Sequence, residues 1–244
     1  MRGRDDVLSG LAKLADQELA PGINREDLLS DLVQELGNPA SINQGNRGTC
    51  AATAVEVKLI HDNPAEYVRL VSGLASPEGK AELASGEALA RVSGTEADDG
   101  SERSIPQRLM APAFMDLADG DLTYDNANDL HAANGEALSR GLAPSEVDRL
   151  LEGVYGEQFT GMDDIRSPRQ QRDAWSLLQQ ATANGEEVLA GLNWTSETRH
   201  KVVVTGVSGN SVEYLNPMGR VERMSKDEFL GRLHNLNYNA RLGA

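Results

Sequence analysis

The hydrophobic period of this chain changes once, near Glu187, and that switch limits the folds open to it. Before it, apolar residues recur at helical spacing; after it, they come in short runs bounded by turn residues. Val7, Leu8, Leu11 and Leu14 share one helical face. Leu28, Leu29, Leu32, Val33 and Leu36 share another, opened by Asn24 as N-cap and closed by Gly37. Residues 50–61 read as a buried helix behind Thr49, because Ala51, Ala52, Ala54, Val55, Val57, Leu59 and Ile60 are too many for one amphipathic stripe. Asn63-Pro64-Ala65-Glu66 opens the next helix, with a cap, a proline in the first turn and a glutamate reaching back. Ser104 caps another, kinked or interrupted at Pro112, and 144–152 and 168–184 supply two more. Residues 77–103 suit a hairpin about Ser85-Gly86, with a helix as the alternative, and end in a polar loop.

Beyond Glu187, strands are expected over 188–194, 200–207, 211–215 and 221–224, with turns at Gly209-Asn210 and Gly219. Ser225 caps a last helix. Helices first and antiparallel strands last predict an α+β fold. The break at Gly37-Asn38-Pro39 predicts a helical N-terminal extension over 1–37, open to a pro-segment or linker role, ahead of a main domain over 38–244.

Charge narrows the partners. The 38 acidic and 23 basic side chains give a net charge of −15 over 244 residues. So acidic a balance argues against nucleic acid and an anionic membrane as partners, since both require a basic face. No apolar run reaches the ~20 residues of a membrane span, and the start at Met1-Arg2-Gly3-Arg4 has no secretory apolar core. Asp116, Asp119, Asp121, Asp125 and Asp129 are spaced as a solvated acidic loop rather than a calcium loop: Gly120 directly follows an aspartate and no glutamate closes the set. Met110, Met115 and Trp175 read as core, and His61, His131 and His234, lacking a partner pattern, as surface or helix-end residues. No metal or organic cofactor is expected.

The single cysteine, Cys50, excludes an internal disulfide and a multi-cysteine metal site. It leaves a small buried apolar residue or a catalytic thiol. Its setting, Gln44-Gly45-Asn46-Arg47-Gly48-Thr49-Cys50, favours the thiol. A helix N-terminus stabilises thiolate. Glycines at 45 and 48 allow a tight backbone path. The Gln44 side-chain N–H and the Cys50 backbone N–H together suit an oxyanion hole. His200 begins a strand, and Asn216, sixteen residues later, ends the next. A turn at Gly209-Asn210 sets the two roughly opposite each other, where the carboxamide can orient the imidazole toward the thiol.

The order Gln44, Cys50, His200, Asn216, with Gln-Gly-x-x-Gly-x-Cys and Asn-x-x-Gly spacings, resembles the papain-like cysteine proteases. The likeness covers 42–60 and 199–219 and is similar to divergent bacterial papain-like proteases and toxin domains. It implies a Cys-His-Asn triad with Gln44 as oxyanion donor and a resting thiolate–imidazolium pair. It also implies a protein or peptide substrate, and a secreted or injected effector setting in which an inhibitor or immunity protein is the expected partner; the alternative location is cytoplasmic. Glutamine deamidation, acyl transfer and a catalytically silent binding module are the alternatives. Ala51 and Pro217-Met218 stand where papain has tryptophans, so the resemblance predicts a His200–Asn216 pair without its indole cover.

Overall fold

The computed structural model describes residues 2–120, 122–133, 136–139, 141–195 and 198–243, excepting the side chains of residues 2, 3 and 131–139. The fold is α+β, with a helical N-terminal part and an antiparallel sheet built mostly from the C-terminal part. The helical part comprises α1 (Arg2–Asp16), α2 (Arg25–Gly37), α3 (Cys50–Asp62), α4 (Pro64–Ala75), the hairpin β1 (Lys80–Glu82) and β2 (Ala88–Ala90), and α5 (Ile105–Asp119). Three short strands follow as a separate sheet: β3 (Thr123–Asp125), β4 (Leu130–Ala133) and β5 (Glu136–Ser139). Then come α6 (Pro144–Tyr155), β6 (Phe159–Met162), α7 (Pro168–Ala183), β7 (Val188–Asn193), β8 (Arg199–Ser208), β9 (Ser211–Asn216), β10 (Arg220–Ser225), α8 (Lys226–Arg232) and β11 (Leu233–Asn239). The main sheet is ordered β10-β9-β8-β7-β11-β6.

Local chemistry accounts for the helix starts. The Asn24 side chain accepts from the Glu26 and Asp27 amides at 2.8 and 3.1 Å. Ser104 and Gln107 form a reciprocal capping box. The helix α5 runs through Pro112 without a break: residues 105–115 are buried throughout, and that packing offsets the roughly 3 kcal/mol a mid-helix proline costs. Leu14, Leu28 and Leu32 are fully buried in the same cluster as α3. At about 2 kcal/mol of burial for each, these three side chains bind α1 and α2 to the helical core.

The helix α3 is the axis of the molecule, with residues 51–60 buried all round. The sheet separates two apolar clusters by simple alternation. Leu189, Val203 and Leu215 face α3 and the helical core. Val188, Ala190, Val202, Val204 and Tyr214 face the other way, onto Trp175 and Leu178 of α7 and Phe229 of α8. A bulge between Val204 and Gly206 shifts the β8–β9 register. Among the described residues, no helix is long and apolar enough to cross a membrane.

Candidate active site

Three distant segments meet at the N-terminus of α3. The 43–50 loop is stitched to the segment after Asn216: the Gln44 N–H donates to the Pro217 carbonyl at 2.7 Å, and Asn43 bridges Met218. Gly45 is required there. Its φ is +63°, and a Cβ at that position would lie 1.8 Å from the Ser101 carbonyl oxygen. Gly48 does not share that conformation; its N–H donates instead to Asp129 Oδ2 at 2.7 Å. The Asn46 N–H donates to the Ser101 carbonyl, and Arg47 reaches the Asp99 and Ala127 carbonyls. The acidic stretch is therefore not simply solvated. Asp129 is buried and also accepts from Tyr124 Oη at 2.8 Å; Asp116 accepts the Tyr124 N–H, and Asp125 closes its own turn. Asp121 and the His131 side chain lie outside the described residues.

Cys50 is the first residue of α3 and keeps partial exposure. Thr49 does not cap the helix through its side chain; its hydroxyl lies 3.4 Å from that of Thr53. The sulfur is faced by the backbone N–H of Lys201 and by the N–H groups of Ala51 and Cys50 itself. Burial pushes the thiol up despite these donors and the Lys201 charge. The residue before Lys201 is His200, so α3 delivers the thiol to the strand residue adjoining the imidazole. No hydrogen bond joins Cys50 to His200 among the described residues.

His200 is 7 % exposed, and its Nε2 lies 2.7 Å from Asn216 Oδ1. The register makes this contact diagonal rather than directly opposed: Val203 stands across from Leu215, which leaves Asn216 on the same face and two residues along from His200. The surrounding network assigns the protons. Asn216 Oδ1 also accepts the Met218 N–H at 3.1 Å, and Asn216 Nδ2 donates to Glu222 Oε2 at 3.1 Å. With the carboxamide oriented from both ends, His200 Nε2 is the protonated nitrogen and Nδ1 carries the lone pair. Burial lowers the His200 pKa, partly opposed by the Asn216 bond and the Glu222 charge. Glu222 also accepts from Tyr214 Oη and Arg220; these donors outweigh its burial and hold the carboxylate below its usual range. The thiol is raised and the imidazole lowered, both directions that work against the expected ion pair.

An indole does pack on the imidazole, although from an unexpected element. Trp194, just past β7, packs on His200 with ring centroids 4.8 Å apart at 54°. Gln44 is buried; its Nε2 donates to the Arg47 carbonyl at 2.6 Å, while its Oε1 has no hydrogen-bond partner among the described residues. An amide nitrogen carries two N–H groups, so this bond leaves the second for another acceptor.

Beneath the site, Lys201 is buried on the face of β8 opposite His200. Its Nζ donates to Asn237 Oδ1 at 2.6 Å and Asn235 Oδ1 at 3.3 Å. Asn237 Nδ2 passes the chain on to Asp148 at 2.8 Å. Gly191 makes room for it, since a Cβ there would lie 1.8 Å from Asn235 Oδ1. Burial lowers the Lys201 pKa to about 8, while the charges of Cys50, Asp148 and Asp163 resist that drop. Sequence reasoning missed Trp194, Lys201, Glu222 and Asp129, all of which lie outside the two motif patches or carry no spacing signal.

No protein-family model matches the chain, and no curated protein matches its sequence.

Proposed function

We propose that the protein is a cysteine endopeptidase of papain-like architecture, hydrolysing peptide bonds with Cys50, His200 and Asn216. The observation that carries this reading is the Nε2–Oδ1 bond at 2.7 Å within a network that leaves His200 Nδ1 as a base. As Cys50 Sγ attacks the substrate carbonyl carbon, its proton passes to Nδ1. The tetrahedral oxyanion is held by the Cys50 backbone N–H and the second N–H of Gln44. The C–N bond then breaks, Nδ1–H protonates the leaving amine, and a thioester remains. Water attacks the thioester with Nδ1 as base, releasing the carboxylate and the thiol. The resemblance to bacterial effector domains supports a protein substrate and a dedicated inhibitor or immunity protein.

The test is a papain-directed epoxide or peptidyl ketone, with the adduct mapped by mass spectrometry, followed by analysis of a treated lysate. The expected result is one adduct on Cys50 and new peptide termini. A one-dalton gain on glutamine without new termini would reassign the site to deamidation. An unmodified Cys50 would leave a non-catalytic binding module.

A further inference from the structure

The far end of α3 holds a second cluster that the proposed chemistry does not use. His61 Nδ1 lies 2.6 Å from Glu187 Oε1, and one donor atom from each of His61, Asp62 and Glu187 falls within 4.8 Å of the others. Glu187, just ahead of β7, is 6 % exposed, yet neither of its carboxylate oxygens receives a hydrogen bond from the described residues. The short contact with His61 is thus a convergence of two donor atoms rather than an aligned N–H···O bond. His61 keeps half its side chain in solvent, so the cluster is open to ions on one side.

We propose that His61, Asp62 and Glu187 form a divalent-cation site whose fitting ion is Zn2+. One imidazole nitrogen and two carboxylates are a donor set that zinc accepts, with water completing four-coordination. Zinc–ligand bonds of about 2.1 Å space neighbouring donors at roughly 3.4 Å, which small side-chain rotations reach from the present spread. The C-terminal end of the α3 dipole adds attraction for a cation. A bound ion would relieve the bare carboxylate of Glu187 and tie the end of α3 to the start of β7. One resident cation competes: Lys58 Nζ bonds Asp62 Oδ2 at 2.8 Å, and Tyr155 Oη donates to the same oxygen at 3.1 Å. A bound ion would share Asp62 with these two donors.

The experiment is calorimetric titration of tag-free full-length protein with ZnCl2 in a Cys50→Ala background. That change removes the thiol as a rival ligand, about 18 Å away along α3. One Zn2+ per chain is expected, bound at least 100-fold more tightly than Mg2+ or Ca2+. His61→Ala and Glu187→Gln should each weaken binding at least tenfold, with circular dichroism showing that they fold. Lys58→Met should tighten it several-fold by removing the competing ammonium, a result that a merely structural His61–Glu187 contact does not produce. Absence of saturable binding, binding unchanged in both ligand variants, or equal affinity for Mg2+ would overturn the proposal. None of these outcomes depends on whether the protein cleaves peptides.

Discussion

The two sides of the candidate site are held by different means. On the helical side, the backbone dominates: Gly45 threads past Ser101, and the Gln44 and Gly48 amides are anchored on Pro217 and Asp129. On the sheet side, side chains relay to side chains, from His200 through Asn216 to Glu222 and Tyr214, and separately from Lys201 through Asn237 to Asp148. A backbone scaffold tolerates little substitution where a side chain cannot fit. A relay degrades by degrees as partners are removed. The pair teaches that the thiol's position depends on steric permission, and the imidazole's orientation on mutual hydrogen bonding.

The sharpest way to break this comparison is to remove each side's reacting atom or its closest support. Cys50→Ala should reduce peptide hydrolysis about 10⁴-fold or more, measured as kcat/KM on a fluorogenic peptide. Asn216→Ala should leave a remnant, with kcat down about 100-fold and the protein still folded, because the base survives but loses its tautomer control. Lys201→Met should slow alkylation of Cys50 at pH 7, because the ammonium charge that favours thiolate is lost while the backbone N–H of residue 201 is kept. In the parent protein that alkylation should climb with pH through the neutral range; a plateau reaching down to pH 5 would instead establish a resting ion pair. Gly45→Ala, by contrast, should act on stability, costing about 3 kcal/mol or more in denaturant unfolding, because it combines left-handed strain with a backbone collision.

The smallest effects separate the two sides by pH. Glu35, on α2, is held at about 7 by burial, against hydrogen bonds from Ser104, Tyr67 and Gln107. The native state therefore holds a proton that the unfolded chain loses near 4.5, so this contribution to stability is complete below that pH and fades as pH rises through 7. Lys201 has the opposite sign. Its pKa of about 8 lies below its ordinary 10.5, so its burial penalty is full below pH 8 and is relieved as pH climbs toward 10.5. Denaturant midpoints measured across pH should show Glu35→Gln flattening the acidic limb and Lys201→Met flattening the alkaline one. Exchange of those two assignments would refute the electrostatic account.

Much of this was legible in the chain itself. Helix caps at Asn24, Ser104 and Ser225 are local signals and are found in place, as are the strands from Val188 onward. Gln44, Cys50, His200 and Asn216 stood out through the papain-like resemblance, and the structure brings Asn216 to His200 and the Gln44 amide to Pro217. The interior strand β11 was not: Asn235, Asn237 and Asn239 make it look like a loop, since asparagine is poor in strands. Two of those asparagines are there to solvate Lys201, which only the fold reveals. The same applies to Trp194, whose contact with His200 spans the β7–β8 turn, and to Asp129, which meets Gly48 across 81 positions. The strands β3 to β6 are three or four residues long, too short for periodicity to register.

His200 and Lys201 are neighbours in the chain but look out from opposite surfaces of β8. Sliding that strand by a single position would trade imidazole for ammonium on the face that carries Asn216. The extra residue accommodated between Val204 and Gly206 thus acts as a phase marker for the hairpin. Lengthening or shortening the 205–211 segment by one residue would be a reading-frame error in three dimensions: every apolar contact type could survive while the chemistry changed sides.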